Sequence, residues 1–160
     1  MKQPLIVVTG APNSGKTEFS YRIAQILSYR HINIGSELLQ HLNTIGIKVD
    51  SRNEIGPKFF EHASFKDYLA VIKSKAAYGV VLDGIRFVKA VEVLRQLYDD
   101  LIHVHRIQPD SSLDLSSVDI YGDHLHLLEG IADFRVGWKE PVKALDGEIR
   151  KIFGSIVEDL

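Results

Sequence analysis

Apolar positions along the chain fall into two alternating rhythms. Short runs rich in β-branched residues read as strands: Leu5-Ile6-Val7-Val8-Thr9, His31 to Ile34, Gly79-Val80-Val81-Leu82-Asp83, Leu101 to Ile107 and Ala132 to Trp138. The unbroken ones are those of strands buried on both faces. Between them the spacing turns helical. Phe19, Ile23, Ala24, Ile26 and Leu27 share one face of Thr17 to Tyr29, and Leu38, Leu39 and Leu42 follow a capping Ser36. Ser64-Phe65-Lys66-Asp67 has capping-box spacing and opens a helix through Tyr68, Leu69, Val71 and Ile72. Val91, Leu94 and Leu97 mark a helix over Val88 to Tyr98, and Pro141 starts a terminal helix through Leu145, Ile149, Ile152 and Phe153. The polar, broken stretch from Gly46 to Pro57 reads as a loop. Strands alternating with helices predict an α/β fold, a five-stranded, mostly parallel sheet with helices on both faces. Without repeats, low-complexity tracts or linkers, residues 1–160 are expected to form a single domain.

Composition narrows the classes. The 160 residues are 45% hydrophobic and 25% charged, the balance of an ordinary globular chain. Lys plus Arg is 19 against 21 Asp plus Glu, a net charge of −2, so no nucleic-acid partner is expected. The absence of cysteine excludes disulfides, Cys-ligated metal sites and thiol catalysis. Leu5 to Val8 is far shorter than the roughly 18 residues of a membrane span, and no export signal precedes it, so a cytoplasmic protein without membrane partners is expected.

The chemistry concentrates at Gly10-Ala11-Pro12-Asn13-Ser14-Gly15-Lys16-Thr17, which fits G-x-x-x-x-G-K-[S/T]. Glycines let backbone N–H groups converge on a phosphate, and the following helix adds its positive dipole end. Lys16 is placed to reach the β- and γ-phosphates, and the Thr17 hydroxyl to ligate Mg²⁺. Gly10, Asn13, Ser14, Gly15, Lys16 and Thr17 are therefore candidate ATP-binding residues, with a strand before and a helix after them as the motif requires. Asp83, ending the buried run Val80-Val81-Leu82, is the candidate second magnesium residue; a plain turn Asp before Gly84 is the alternative.

The motifs together resemble a P-loop kinase of the nucleoside monophosphate kinase type, adenylate kinase-like or dephospho-coenzyme A kinase-like, over most of the chain. Besides Gly10 to Thr17, the resemblance rests on Ile34-Gly35-Ser36-Glu37-Leu38-Leu39 and Asp83-Gly84-Ile85-Arg86. The first is similar to the family's Gly-Asp-x-Leu element beside the acceptor, the second to its Asp-Gly-x-Arg element. Ala132-Asp133-Phe134 and the Pro141 helix resemble its last strand and helix. The resemblance implies a three-layer P-loop NTPase fold, an acceptor-binding helical insert over about 36–78 and a short lid over about 108–123. It implies ATP and Mg²⁺ as cofactors, and Arg86 as the grip on the acceptor's phosphate, a role its forked guanidinium suits. Gly35 borders the acceptor, and Arg52 is a second candidate clamp, a solvated side chain being its alternative.

Two departures qualify this. Gln40 stands where the family element ends in arginine, and Gln108 to Asp123 holds Asp110, Asp114, Asp119 and Asp123 with no Lys or Arg. An acidic lid is poorly suited to transition-state charge, which leaves Arg106 as the nearby catalytic candidate beside Lys16 and Arg86. Glu37 is either a base toward a hydroxyl, as in P-loop kinases of small alcohols, or a first-turn helix residue. His103 and His105 share a strand face, and they, with His124 and His126, read as hydrogen-bonded histidines rather than a metal site. Phe59, Phe60 and Tyr68 read as core, and Trp138 as packing under the terminal helix.

Two functions follow. The first is ATP- and Mg²⁺-dependent transfer of the γ-phosphoryl to a phosphate-bearing small molecule, a nucleoside or deoxynucleoside monophosphate foremost, by a monomer or homodimer. The second is a nucleotide-binding module with little turnover, which the arginine-free lid favours. No Asn-Lys-x-Asp segment supports a GTPase.

Overall fold

β1 (Ile6–Gly10) occupies the centre of the sheet because its side chains serve both faces: Leu5 and Val7 enter one core, Ile6 and Val8 the other. The computed structural model describes residues 3–11, 15–107, 124–137 and 145–158. Pro12, Asn13, Ser14, the expected lid, Trp138 and Pro141 lie outside them. The remaining strands are β2 (Arg30–Asn33), β3 (Val80–Asp83), β4 (Ile102–Ile107) and β5 (Phe134–Gly137). Their order is β2-β3-β1-β4-β5 and every pairing is parallel, so the sheet is wholly parallel. The register aligns Val8 with Asp83 and Gly10 with Arg106, which sets the ends of β3 and β4 on either side of the phosphate loop.

The helices are α1 (Lys16–Leu27), α2 (Ile34–Thr44), α3 (Ile55–His62), α4 (Phe65–Lys75), α5 (Val88–Leu97), α6 (His124–Ile131), α7 (Asp146–Ile152) and α8 (Gly154–Glu158). One core lies between the sheet and α2 to α6, and the other under α1 and α7. The α4 capping box forms as its spacing predicts: Ser64 Oγ accepts from Asp67 N, and Asp67 Oδ2 accepts from Ser64 N at 2.8 Å.

Three expectations need correction. The helix after β2 begins at Ile34, and its cap is Asn33, whose side chain accepts from Ser36 N at 2.8 Å; Ser36 lies inside it. A short 3-10 turn, Arg52–Glu54, and then α3 replace the second half of the expected loop. Pro57 does not break α3 because it sits in the first turn, where its missing N–H has no partner to lose. The expected terminal helix is two pieces, α7 and α8, separated at Phe153.

Candidate active site

The phosphate loop opens from β1 into α1 through Gly15, whose φ of 74° lies in the left-handed region that favours glycine. Lys16 follows as the first residue of α1 and is buried. Its Nζ donates to Ala11 O at 3.3 Å, within the loop itself. Burial, then the nearby Arg86 and to a smaller degree Arg52, pull its pKa down to about 7, and Asp83 pulls the other way. A lysine so depressed is a cation short of counter-charge, and an anion beside it would restore its proton.

Lys16, Arg52 and Arg86 surround one cavity of about 490 Å³, whose glycine floor includes Gly15, Gly35 and Gly84. That volume lies in the roughly 300–1,000 Å³ range of small-molecule sites. Thr17 and Asn33 also line it, and its far wall is apolar and aromatic, with Phe60, Tyr68 and Phe87. Those rings belong to a cluster: Tyr68 lies 5.3 Å from Phe87 and 5.5 Å from Phe60 between centroids. The Tyr68 hydroxyl accepts from Arg86 N at 3.4 Å, tying the wall to the arginine. Glu18 is the only acidic residue among the described lining residues.

Asp83 is fully buried behind this cavity. Its Oδ2 lies 2.9 Å from His31 Nε2, and its Oδ1 accepts from Asn33 Nδ2. Each oxygen keeps a second lone pair that can accept from water, the chemistry a water-mediated hold on a cation needs. Gly84, at φ 87°, makes the turn out of β3. A Cβ there would stand 3.2 Å from the backbone nitrogens of Ile34 and Gly35, which fixes how closely the two strand ends approach.

Of the sequence candidates, Gly15, Lys16, Thr17, Gly35, Arg52 and Arg86 come together on this cavity, with Asp83 behind it. Gly10 ends β1 in register with Arg106, and Asn13 and Ser14 lie outside the described residues. Glu37 faces a neighbouring hollow lined also by Thr17, Arg30, His31 and Arg52, and pairs with Lys75 at 3.3 Å. Arg106 is not a lining residue. It is buried on the α1 side of the sheet, 5.1 Å above the Phe19 ring, and donates from Nη1 to Gly137 O at 2.6 Å. His103 and His105 are held by one hydroxyl, Thr9 Oγ1, at 2.7 and 2.9 Å, and His124 packs against Phe87. Asn33, His31 and the aromatic wall were not singled out as site residues. Asn33 ends a strand and caps a helix, a signal readable only once Asp83 is known to lie beside it.

No protein-family model matches the chain. No curated protein matches it either. Solved structures do. Shikimate kinase from Aquifex aeolicus superposes with a TM-score of 0.60 at 15% identity, covering 97% of each chain. Shikimate kinase from Acinetobacter baumannii, in complex with shikimate, gives 0.58 at 19% identity, over 98% of this chain and 94% of that one. A gluconokinase from Sinorhizobium meliloti gives 0.57 at 17%, over 98% and 94%. Among the described residues no helix is long and apolar enough to cross a membrane. At these identities the likeness is one of fold: the chain has the three-layer, parallel-sheet architecture of P-loop kinases.

Proposed function

We propose that the protein is an ATP-dependent phosphotransferase acting on a small anionic acceptor, a nucleoside monophosphate foremost. The observation that carries this reading is the convergence of Lys16, Arg52 and Arg86 on one cavity with a single acidic lining residue among those described. Lys16 and the N–H groups at the start of α1 bind the phosphates of the nucleotide, and the loop from Gly10 to Thr17 orients them. Arg86 and Arg52 hold the acceptor's anionic group beside them. Catalysis is then positioning and charge neutralisation, with little covalent work for the protein. Magnesium, arriving with ATP, would be held by Thr17 and through water by Asp83, and supplies further neutralisation of phosphate charge.

Two features favour a phosphate acceptor over an alcohol. A hydroxyl needs a base to take its proton, and Glu18, exposed at the α1 start, is the one carboxylate among the described lining residues. A phosphate oxygen is already ionised. The wall of Phe60, Tyr68 and Phe87, with Phe87 edge-on to the other two rings, offers aromatic contact to a nucleobase. Arg106, held against Phe19 and Gly137, serves the fold.

The second reading, a nucleotide-binding module with little turnover, is favoured by one observation: residues 108–123 carry no Lys or Arg. The test is ADP release from ATP and Mg²⁺ with a panel of nucleoside and deoxynucleoside monophosphates, dephospho-coenzyme A and carboxylated polyols, with Lys16→Ala as control. Stimulation by a monophosphate, lost in the control, is the expected result. Stimulation only by polyols would overturn the phosphate acceptor, and tight ATP binding without stimulation would establish the second reading.

A further inference from the structure

Asn33 has two jobs that only an asparagine can combine. As the cap of α2 it needs a side-chain acceptor, which Asn, Asp, Ser and Thr all supply. Its amide nitrogen, however, donates to the buried Asp83 Oδ1. Aspartate in its place would set two carboxylates against each other, and serine or threonine offers one short oxygen where two separated polar atoms are needed. The amide orientation is thereby fixed, nitrogen toward Asp83 and oxygen toward the cavity. Asp83 is itself held by His31 Nε2 at 2.9 Å. The slot is tight on the Gly35 side, where a Cβ would come within 3.1 Å of Asn33 Oδ1.

The oxygen so aimed accepts from Ser36 N at 2.8 Å, from Ser36 Oγ at 3.2 Å and from Arg52 Nη2 at 3.2 Å. Arg52 comes from a short 3-10 turn, is exposed, and lines both the cationic cavity and the neighbouring hollow. A long side chain on such a turn keeps much rotamer freedom unless something anchors it. We propose that Asn33 is a positioning residue of the acceptor subsite: it acts through Arg52, anchoring that guanidinium at the cavity in an orientation set by the Asp83 carboxylate. This rests on the reading of the cavity as an anion-accepting site. Only Arg52 Nη2 is engaged by this bond, so the other N–H donors of the guanidinium can meet an anion while the anchor is kept.

The experiment is a double-mutant cycle on inorganic phosphate binding to the full chain, followed by calorimetry, with Asn33→Ala, Arg52→Ala and the pair. Each single change is expected to weaken phosphate about tenfold, the worth of one modest hydrogen bond. The double variant is expected to be no weaker than Arg52→Ala alone. Asn33→Ser separates the anchor from the cap: it keeps the α2 cap and loses the donor to Asp83, so its thermal midpoint is expected between those of the native protein and Asn33→Ala, while it loses phosphate affinity as Asn33→Ala does. Effects that multiply in the double variant, or native affinity in Asn33→Ser, would overturn the proposal. ¹⁵N relaxation of the Arg52 Nε–H gives a readout that needs no ligand. A signal rigid in the native protein and mobile in Asn33→Ser supports the anchor, and one already mobile in the native protein refutes it. Failure of phosphate to bind the native protein would remove the acceptor site and leave the relaxation result to decide the anchor.

Discussion

The ends of β3 and β4 flank the phosphate loop on opposite sides of β1, and both are dense in polar side chains. They use them in opposite ways. At the β3 end, Asp83 holds Asn33, Asn33 holds Arg52, and Lys16, Arg52 and Arg86 line an open cavity. At the β4 end the partners are internal. His103 and His105 share the Thr9 hydroxyl, His103 N donates to Asp133 Oδ2 at 2.8 Å, and Arg106 reaches Gly137 and Phe19. Buried polarity alone therefore does not mark a site. Charge that is left facing a cavity does.

The sharpest way to break this contrast is at Lys16. Lys16→Ala is expected to weaken ATP binding or turnover by about 100-fold or more, as the loss of a charged phosphate contact does. It should leave the thermal midpoint of the ligand-free protein unchanged or higher, because it removes a buried cation opposed by Arg86 and Arg52. Calorimetry and thermal unfolding read the two effects separately. A midpoint lowered as much as in a core truncation would show that the charge is compensated after all.

Arg106→Ala should do the reverse. Losing a charge-assisted hydrogen bond and a cation–π contact is expected to cost about 3 kcal/mol of stability in denaturant unfolding. Acceptor KM should stay within about twofold of native, since the side chain lies outside the cavity. A large fall in kcat in the folded variant would return Arg106 to the catalytic role its sequence position suggested. Arg86→Ala, at the β3 end, is expected to raise acceptor KM by about 10- to 100-fold with a smaller stability loss than Arg106→Ala.

The smallest effect is in pH. Burial, with nearby Arg95 next in weight, lowers the His103 pKa to about 4, and burial lowers that of His105 as well. Between about 4 and the ordinary value of about 6.5 the unfolded chain binds more protons than the folded one, so stability falls as pH falls through that window. Lys16 places a second window higher. With its pKa near 7 in the ligand-free fold, stability should rise as pH climbs from about 7 toward 10. Chemical unfolding at several pH values checks both, and His103→Gln should reduce the acid slope while leaving the alkaline one.

Much of this organisation was legible in the chain because it is written locally. The strand and helix that flank the phosphate loop, the run Val80 to Asp83 and the α4 capping box each depend on neighbours a few residues apart, and each formed as read. Arg86 follows Asp83 and Gly84 directly and lines the cavity. What escaped depends on partners distant in sequence. Asn33 takes its meaning from Asp83, fifty residues on, and Arg106, a catalytic candidate because its strand ends beside the loop, carries its side chain to Phe19 and Gly137 rather than to the cavity lining. Pro57 and Gly56 looked like a break, since turn chemistry and the first turn of a helix tolerate the same residues.

The central place of β1 also dictates an order of assembly. The strand that carries the phosphate loop is made first, yet its two neighbours in the sheet are the segments around Val81 and Val104, much later in the chain. During synthesis the loop's stem must wait, apolar and unpaired, until β3 and then β4 have left the ribosome. A nascent chain ending before residue 102 would hold every residue of the G-x-x-x-x-G-K-[S/T] motif and still lack one wall of the strand pair that shapes it.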